Sequence, residues 1–231
     1  GESGSPSTPG GQQNSGTAGS MARFQVIGNY LYAITTDWRL SLFDISTPSS
    51  PSKWLDINLP SGIETLYNYN DYLFIGANDG VRIYNNQDPA APFYISNFRH
   101  VQSCDPVVVE NNYAYATLRG GSGCRFGVNR LDVLDVSDIY NPTLVNSVPM
   151  SQPKGLGIRN GKLFVCDQNQ LVSYNATDPL NLIEVNRISL YDCFDVIPAQ
   201  NTLIVSHGGG ISQYDYSAIP IKFISDIATL R

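Results

Sequence analysis

Short apolar runs separated by polar turns recur along this chain. Residues 29–51, "NYLYAITTDWRLSLFDISTPSSP", hold two such runs and then a turn packed with Ser, Thr and Pro. Near-copies return at residues 70–92, "NDYLFIGANDGVRIYNNQDPAAP", and at residues 161–181, "GKLFVCDQNQLVSYNATDPLN". Within the first run both alternating sets are apolar, with Leu31 and Ala33 on one side and Tyr32 and Ile34 on the other. A sheet made of such strands is apolar on both faces and must be covered on both. No long stretch carries the i, i+3, i+4, i+7 apolar spacing of an amphipathic helix.

Two anchors define the repeat. The first is a polar pair followed by an apolar strand: Gly28-Asn29, Asn70-Asp71, Asn111-Asn112, Asn160-Gly161 and Gln200-Asn201. Two residues after each pair stand Leu31, Leu73, Ala114, Leu163 and Leu203, spaced by 42, 41, 49 and 40. The second anchor is the Asp or Asn closing the next strand, at Asp44, Asn85, Asp135, Asn175 and Asp215, spaced by 41, 50, 40 and 40. Both series place one insertion in the third unit, at about 119–130. Each unit has room for four strands. The Asn-Gly and Asn-Asp types tolerate positive φ and suit tight hairpins, and the closing Asp or Asn can accept from an N–H two residues on.

Four antiparallel strands in about forty residues predict the blade of a β-propeller. The expected fold is therefore all-β, one five-bladed β-propeller of four-stranded antiparallel blades over residues 21–231. Those 211 residues accommodate five blades and no sixth. The innermost strand of blade 1 is expected at about 23–27 and the outer strand of blade 5 at about 222–227. The ring is then expected to close by packing between whole blades, with no strand borrowed from the other terminus.

Composition changes this picture at the edges. Fourteen Tyr and only 15% charged residues suit strands. A net charge of −6 argues against indiscriminate nucleic-acid binding. No apolar run approaches the roughly 18–20 residues of a membrane span, and no charged n-region with an apolar h-region opens the sequence. Residues 1–20, "GESGSPSTPGGQQNSGTAGS", have almost no apolar surface to offset the entropy of ordering and read as a flexible tether. Such tethers commonly follow the lipid-anchored cysteine of bacterial surface lipoproteins. An exported protein, at the cell surface or in the periplasm with a lipid anchor upstream, is thus expected, although no such cysteine stands here. The four cysteines, Cys104, Cys124, Cys166 and Cys193, allow three pairings and include no C-x-x-C. Repeat position favours Cys104–Cys124, stapling the insertion, and Cys166–Cys193, bridging blades 4 and 5; four buried free thiols are the alternative.

"LFDISTPSSP", "VLDVSDIYNP" and the strands "NYLYAI" and "NYAYAT" resemble the LVIVD-repeat family, whose units read as an aromatic-rich strand, a "DVSNP-x-x-P" turn and a further strand. The resemblance covers about residues 22–230, best in blades 1 and 3. Blade 2 departs at "IYNNQDP" and blade 5 at "YDYSAIP". It implies an exported or surface propeller and carries no assigned chemistry.

In a propeller, the loops from second to third strand and from blade to blade open on one face, around the channel, where ligands usually enter. That rim is expected to carry Trp38, Arg39, Arg99, His100, Arg119, Arg125, Phe126, Arg130, Tyr191 and His207. Aromatic rings there can stack on sugars or planar side chains. Arg forks suit carboxylates, phosphates or sugar acids. An enzymatic reading rests on Glu64, Asp105 and Asp195 near the inner-strand starts, since five-bladed glycosidases aim carboxylates into the channel. A metal set from Asp105, Asp195 and a histidine is weaker, and neither metal nor cofactor is expected. The expected function is a non-catalytic binding or scaffolding module for a glycan, peptide or protein held at the rim. A carbohydrate-active enzyme is the alternative.

Overall fold

The structure, a computed structural model, describes residues 19–100, 106–121 and 128–228. Except for its last two residues, the expected tether lies outside them, as do Cys104, Asp105, Cys124, Arg125 and Phe126. The described residues form twenty strands in five sheets. Blade 1 is β1 (Phe24–Ile27), β2 (Tyr30–Thr36), β3 (Arg39–Asp44) and β4 (Ser52–Asn58). Blade 2 is β5 (Ile63–Tyr69), β6 (Tyr72–Ala77), β7 (Gly80–Asn85) and β8 (Phe93–Arg99). Blade 3 is β9 (Val107–Glu110), β10 (Tyr113–Leu118), β11 (Arg130–Asp135) and β12 (Thr143–Pro149). Blade 4 is β13 (Pro153–Arg159), β14 (Lys162–Asp167), β15 (Gln170–Asn175) and β16 (Ile183–Ser189). Blade 5 is β17 (Cys193–Pro198), β18 (Thr202–His207), β19 (Gly210–Asp215) and β20 (Lys222–Ala228). Each blade is an antiparallel meander, and the described residues form a five-bladed β-propeller.

The turns follow from their residues. Asn70, Asn111, Asn112 and Asn160 hold φ of 48–65°, a region open to Asn at little cost, and so connect first to second strands in two residues. After each third strand the closing side chain accepts from the amide two residues on. Asp44 takes Ser46 N–H at 2.8 Å, Asn85 takes Gln87 at 3.1 Å and Asp135 takes Ser137 at 2.8 Å. Asn175 and Asp215 do the same with Thr177 and Ser217, at 3.0 and 2.8 Å. A bulge falls at one equivalent place in every blade, just before Phe43, Tyr84, Leu134, Tyr174 and Tyr214, and adds twist to the outer strand pair.

The core lies between blades. One buried cluster joins blade 1 to blade 2 through Tyr32, Leu40, Leu42, Leu66, Leu73 and Ile75. A second joins blades 2 and 3 through Phe74, Val81, Ile83, Val107 and Ala116. Tyr115, Leu131, Val133, Leu156 and Val165 join blades 3 and 4, and Phe164, Leu171, Val196, Leu203 and Val205 join blades 4 and 5. Cys166 at the end of β14 is bonded to Cys193 at the start of β17, with Cα atoms 5.1 Å apart, so the bridge spans neighbouring blades as expected.

The expected closure of the ring by blade packing is not found among the described residues. Among the described residues no buried cluster joins blade 5 to blade 1, and Phe24 and Ile211, which face that join, are 66% and 42% exposed. Contact across the centre comes instead from residues 19–22. Ala22 accepts from Leu66 N–H at 2.9 Å, while Ser20 reaches the inner strands of blades 4 and 5.

Candidate functional site

The strand order puts the β2–β3, β6–β7, β14–β15 and β18–β19 turns on one face with the blade-to-blade links, as every first strand starts there and every second strand ends there. Trp38 stands in the first of these turns, 38% exposed, with the Arg39 guanidinium 4.3 Å above its ring. Tyr191, in the link to blade 5, is 65% exposed and its carbonyl accepts from Gly208 N–H at 2.8 Å. Arg99 ends β8 and is exposed, while His100 and Arg119 are half-buried beyond β8 and β10.

Other predicted rim residues are occupied locally. Arg130 donates from Nε and Nη2 to Asp132 on its own strand, at 3.1 and 2.9 Å. Asp132 is buried and also accepts from Ser147 Oγ at 2.6 Å. His207 Nδ1 accepts from Gly209 N–H at 3.1 Å, which leaves Nε2 to donate to Ser212 Oγ at 2.8 Å. Both nitrogens thus brace the β18–β19 turn.

Of the predicted carboxylates, Glu64 lies one residue into β5 and is half-buried. Asp195 is held by the segment entering blade 1. Ser20 Oγ donates to its Oδ1 at 3.0 Å and Met21 N–H to its Oδ2 at 3.3 Å, while Val196 N–H also reaches Oδ1 at 2.9 Å. Ser20 Oγ in turn accepts from Leu156 N–H at 2.8 Å. Burial pushes the Asp195 carboxyl up to about 6, against the pull of these donors. Gly155 permits this approach, because a Cβ there would lie 2.1 Å from Asp195 Oδ1.

Sequence reasoning missed a neighbouring group. Lys154, next to Pro153 at the start of β13, pairs with Asp192, and its ammonium lies 4.5 Å from the Phe194 ring centre. Lys154 is the second residue of β13 and Asp192 stands in the link to blade 5, where the repeat gives no constant residue to mark them. The described cavities lie on the face opposite the rim. One of about 250 Å³ is lined by Lys162, Phe164, Ser173, Tyr174 and Ile219, and one of about 280 Å³ by Glu110, Tyr113, Tyr115 and Thr177. Among the described residues, no three His, Cys, Asp or Glu side chains cluster as metal ligands would, and no helix is long and apolar enough to cross a membrane.

No curated protein matches the chain. A functionally unknown protein of Desulfotomaculum acetoxidans is similar in structure, with a TM-score of 0.67 at 13% identity over 88% of this chain and 69% of that one. BamB from Moraxella catarrhalis gives 0.56 at 13% identity, covering 87% of this chain and 59% of its own. The periplasmic gluconolactonase of Pseudomonas aeruginosa gives 0.64 at 16% identity, covering 87% and 68%. At such identities the likeness is one of fold, and the chain spans about three fifths to two thirds of these proteins' length. The LVIVD-repeat family model matches residues 18–57, the segment that holds blade 1 and its Asp44 turn. That unit recurs through the five blades, so the chain is similar to the LVIVD repeat where the family model matches and carries the same strand-and-turn pattern beyond it.

Proposed function

We propose that this propeller is a non-catalytic binding or scaffolding module of an exported protein, whose ligand sits on the rim loops. One observation carries the reading. Asp195, a carboxylate an enzyme would aim into the channel, is committed to Ser20, the Met21 amide and Val196, while Trp38 and Tyr191 offer ring surface on the same face. Arg39, stacked on Trp38, supplies a cation beside that surface. The ligand class is a glycan, peptide or protein segment that presents a flat apolar face and an anionic group. The Cys166–Cys193 bridge supports export, since structural disulfides persist in oxidising compartments. The polar residues 1–18 would tether the module at the surface or in the periplasm, with a lipid anchor upstream, while Gly19 and Ser20 pack against the blades.

Glycan and peptide arrays probed with the 231-residue chain, alongside a hydrolysis assay on the same glycans, test this. Binding without product is expected. Trp38→Ala or Tyr191→Ala should weaken it roughly fivefold, as loss of one aromatic stack of about 1 kcal/mol implies, and Asp195→Asn should leave it unchanged. Turnover lost on Glu64→Gln, Asp105→Asn or Asp195→Asn would instead identify a carbohydrate-active enzyme.

A further inference from the structure

Blade packing in this molecule follows a fixed register. The residue of each inner strand that pairs with the fourth residue after the hairpin turn faces the preceding blade. In blades 2 to 5 it is Leu66, Val107, Leu156 and Val196, paired with Ile75, Ala116, Val165 and Val205, and all four are fully buried. In blade 1 it is Phe24, paired with Ala33, and it is 66% exposed. Leu31, Ala33 and Phe43 continue the same face, and none is buried, whereas their counterparts Leu73, Ile75 and Tyr84 are.

The forward face has the same logic. The second residue of each third strand is Leu40, Val81, Leu131 and Leu171 in blades 1 to 4, each buried against the following blade. In blade 5 it is Ile211, 42% exposed, and its partner Ile227 on β20 is 68% exposed. Ile197 and Ile204, paired on this face, are also incompletely buried. The molecule therefore displays two apolar faces, one forward and one backward, each of the kind that buries a neighbouring blade elsewhere.

From these faces we infer that blades 5 and 1 are docking surfaces for further four-stranded blades of the same repeat, carried on the same polypeptide, which complete the ring. The inference is independent of the proposed ligand site. Each face already has its complement defined, since a forward face of this kind meets a backward face at four seams in the molecule. The chain enters blade 1 past the inner strand of blade 5, where a Cβ on Gly19 would lie 2.1 Å from Asp195 Oδ2 and 3.3 Å from Ile197. Solved propellers that share the fold are longer: five blades here cover 59–69% of their chains, which leaves room for roughly two or three more of this size. Exposed faces of this extent are otherwise liabilities for association.

The test is sedimentation velocity on the 231-residue chain over a range of concentrations, with Phe24→Asp and Ile211→Asp. A forward face meeting a backward face of another copy is a heterologous contact, so the unmodified chain should associate without fixed stoichiometry. Each substitution should return it to monomer with unchanged far-ultraviolet circular dichroism. A second chain, in which residues 106–190 are repeated after residue 228, should be monomeric and melt at a higher temperature. A 231-residue chain that stays monomeric, with melting unmoved by either substitution, would overturn the inference. So would a discrete dimer that persists in the extended chain, which would make a second copy the occupant.

Discussion

Asp195 shows how far a single residue's meaning depends on partners distant in the chain. Its carboxyl is pushed up to about 6 by burial, above its ordinary 3.8, so the folded protein holds a proton that the unfolded chain releases. Stability from this group is therefore fullest below about pH 4 and is lost as pH rises through about 6, by on the order of 2–3 kcal/mol. Asp195→Asn should flatten that decline; urea unfolding of both proteins at pH 4 and pH 7 measures it, and an unchanged difference would contradict the assignment. Asp44, Asp135 and Asp215 behave oppositely. Amide and hydroxyl donors at Ser46, Ser137 and Ser217 hold them below the usual range, so their contribution is present above about pH 4 and fades below it. Gly155→Ala should cost roughly 2–3 kcal/mol, because its Cβ would meet both the Asp195 carboxylate and its backbone. The sequence placed Asp195 near an inner-strand start but could not reveal Ser20, 175 residues away, as its partner. His207 and Arg130 were legible as rim residues, yet their partners at Gly209, Ser212 and Asp132 spend them on local structure.

At the level of the element, the repeat was readable because its turns do chemistry that only a few residues can do. Asn at positive φ and the Asp or Asn that accepts from the second amide onward recur at spacings that strands of six or seven residues dictate. The fifth unit loses the positive-φ Asn, and its hairpin is closed instead by Ala199 N–H donating to Thr202 O at 2.9 Å. The Cys166–Cys193 bridge could be expected from repeat positions alone, since the end of one second strand lies beside the start of the next inner strand. Replacing both cysteines with alanine should lower stability by roughly 2–4 kcal/mol. The denaturant midpoint of the reduced protein should move toward that of the variant; equal midpoints for all three forms would show that the bridge adds nothing.

For the whole molecule, stability resides in seams. Blade 3 is covered on both faces, whereas blades 1 and 5 each have one face against solvent among the described residues. Pattern alone showed that both sides of every sheet are apolar; it could not show which side lacks a neighbour, because Phe24 and Ile211 are as apolar as residues that are buried. Neighbouring blades, more than strand pairing, hold each sheet. Strands β2, β6, β10, β14 and β18 are all hydrogen-bonded along both edges, so strand pairing alone would protect their amides alike. Native-state hydrogen exchange at rising denaturant separates the two. The prediction is that β6, β10 and β14 exchange only on global unfolding, while β2 and β18 open at lower free energy. Equal opening free energies for all five strands would contradict it.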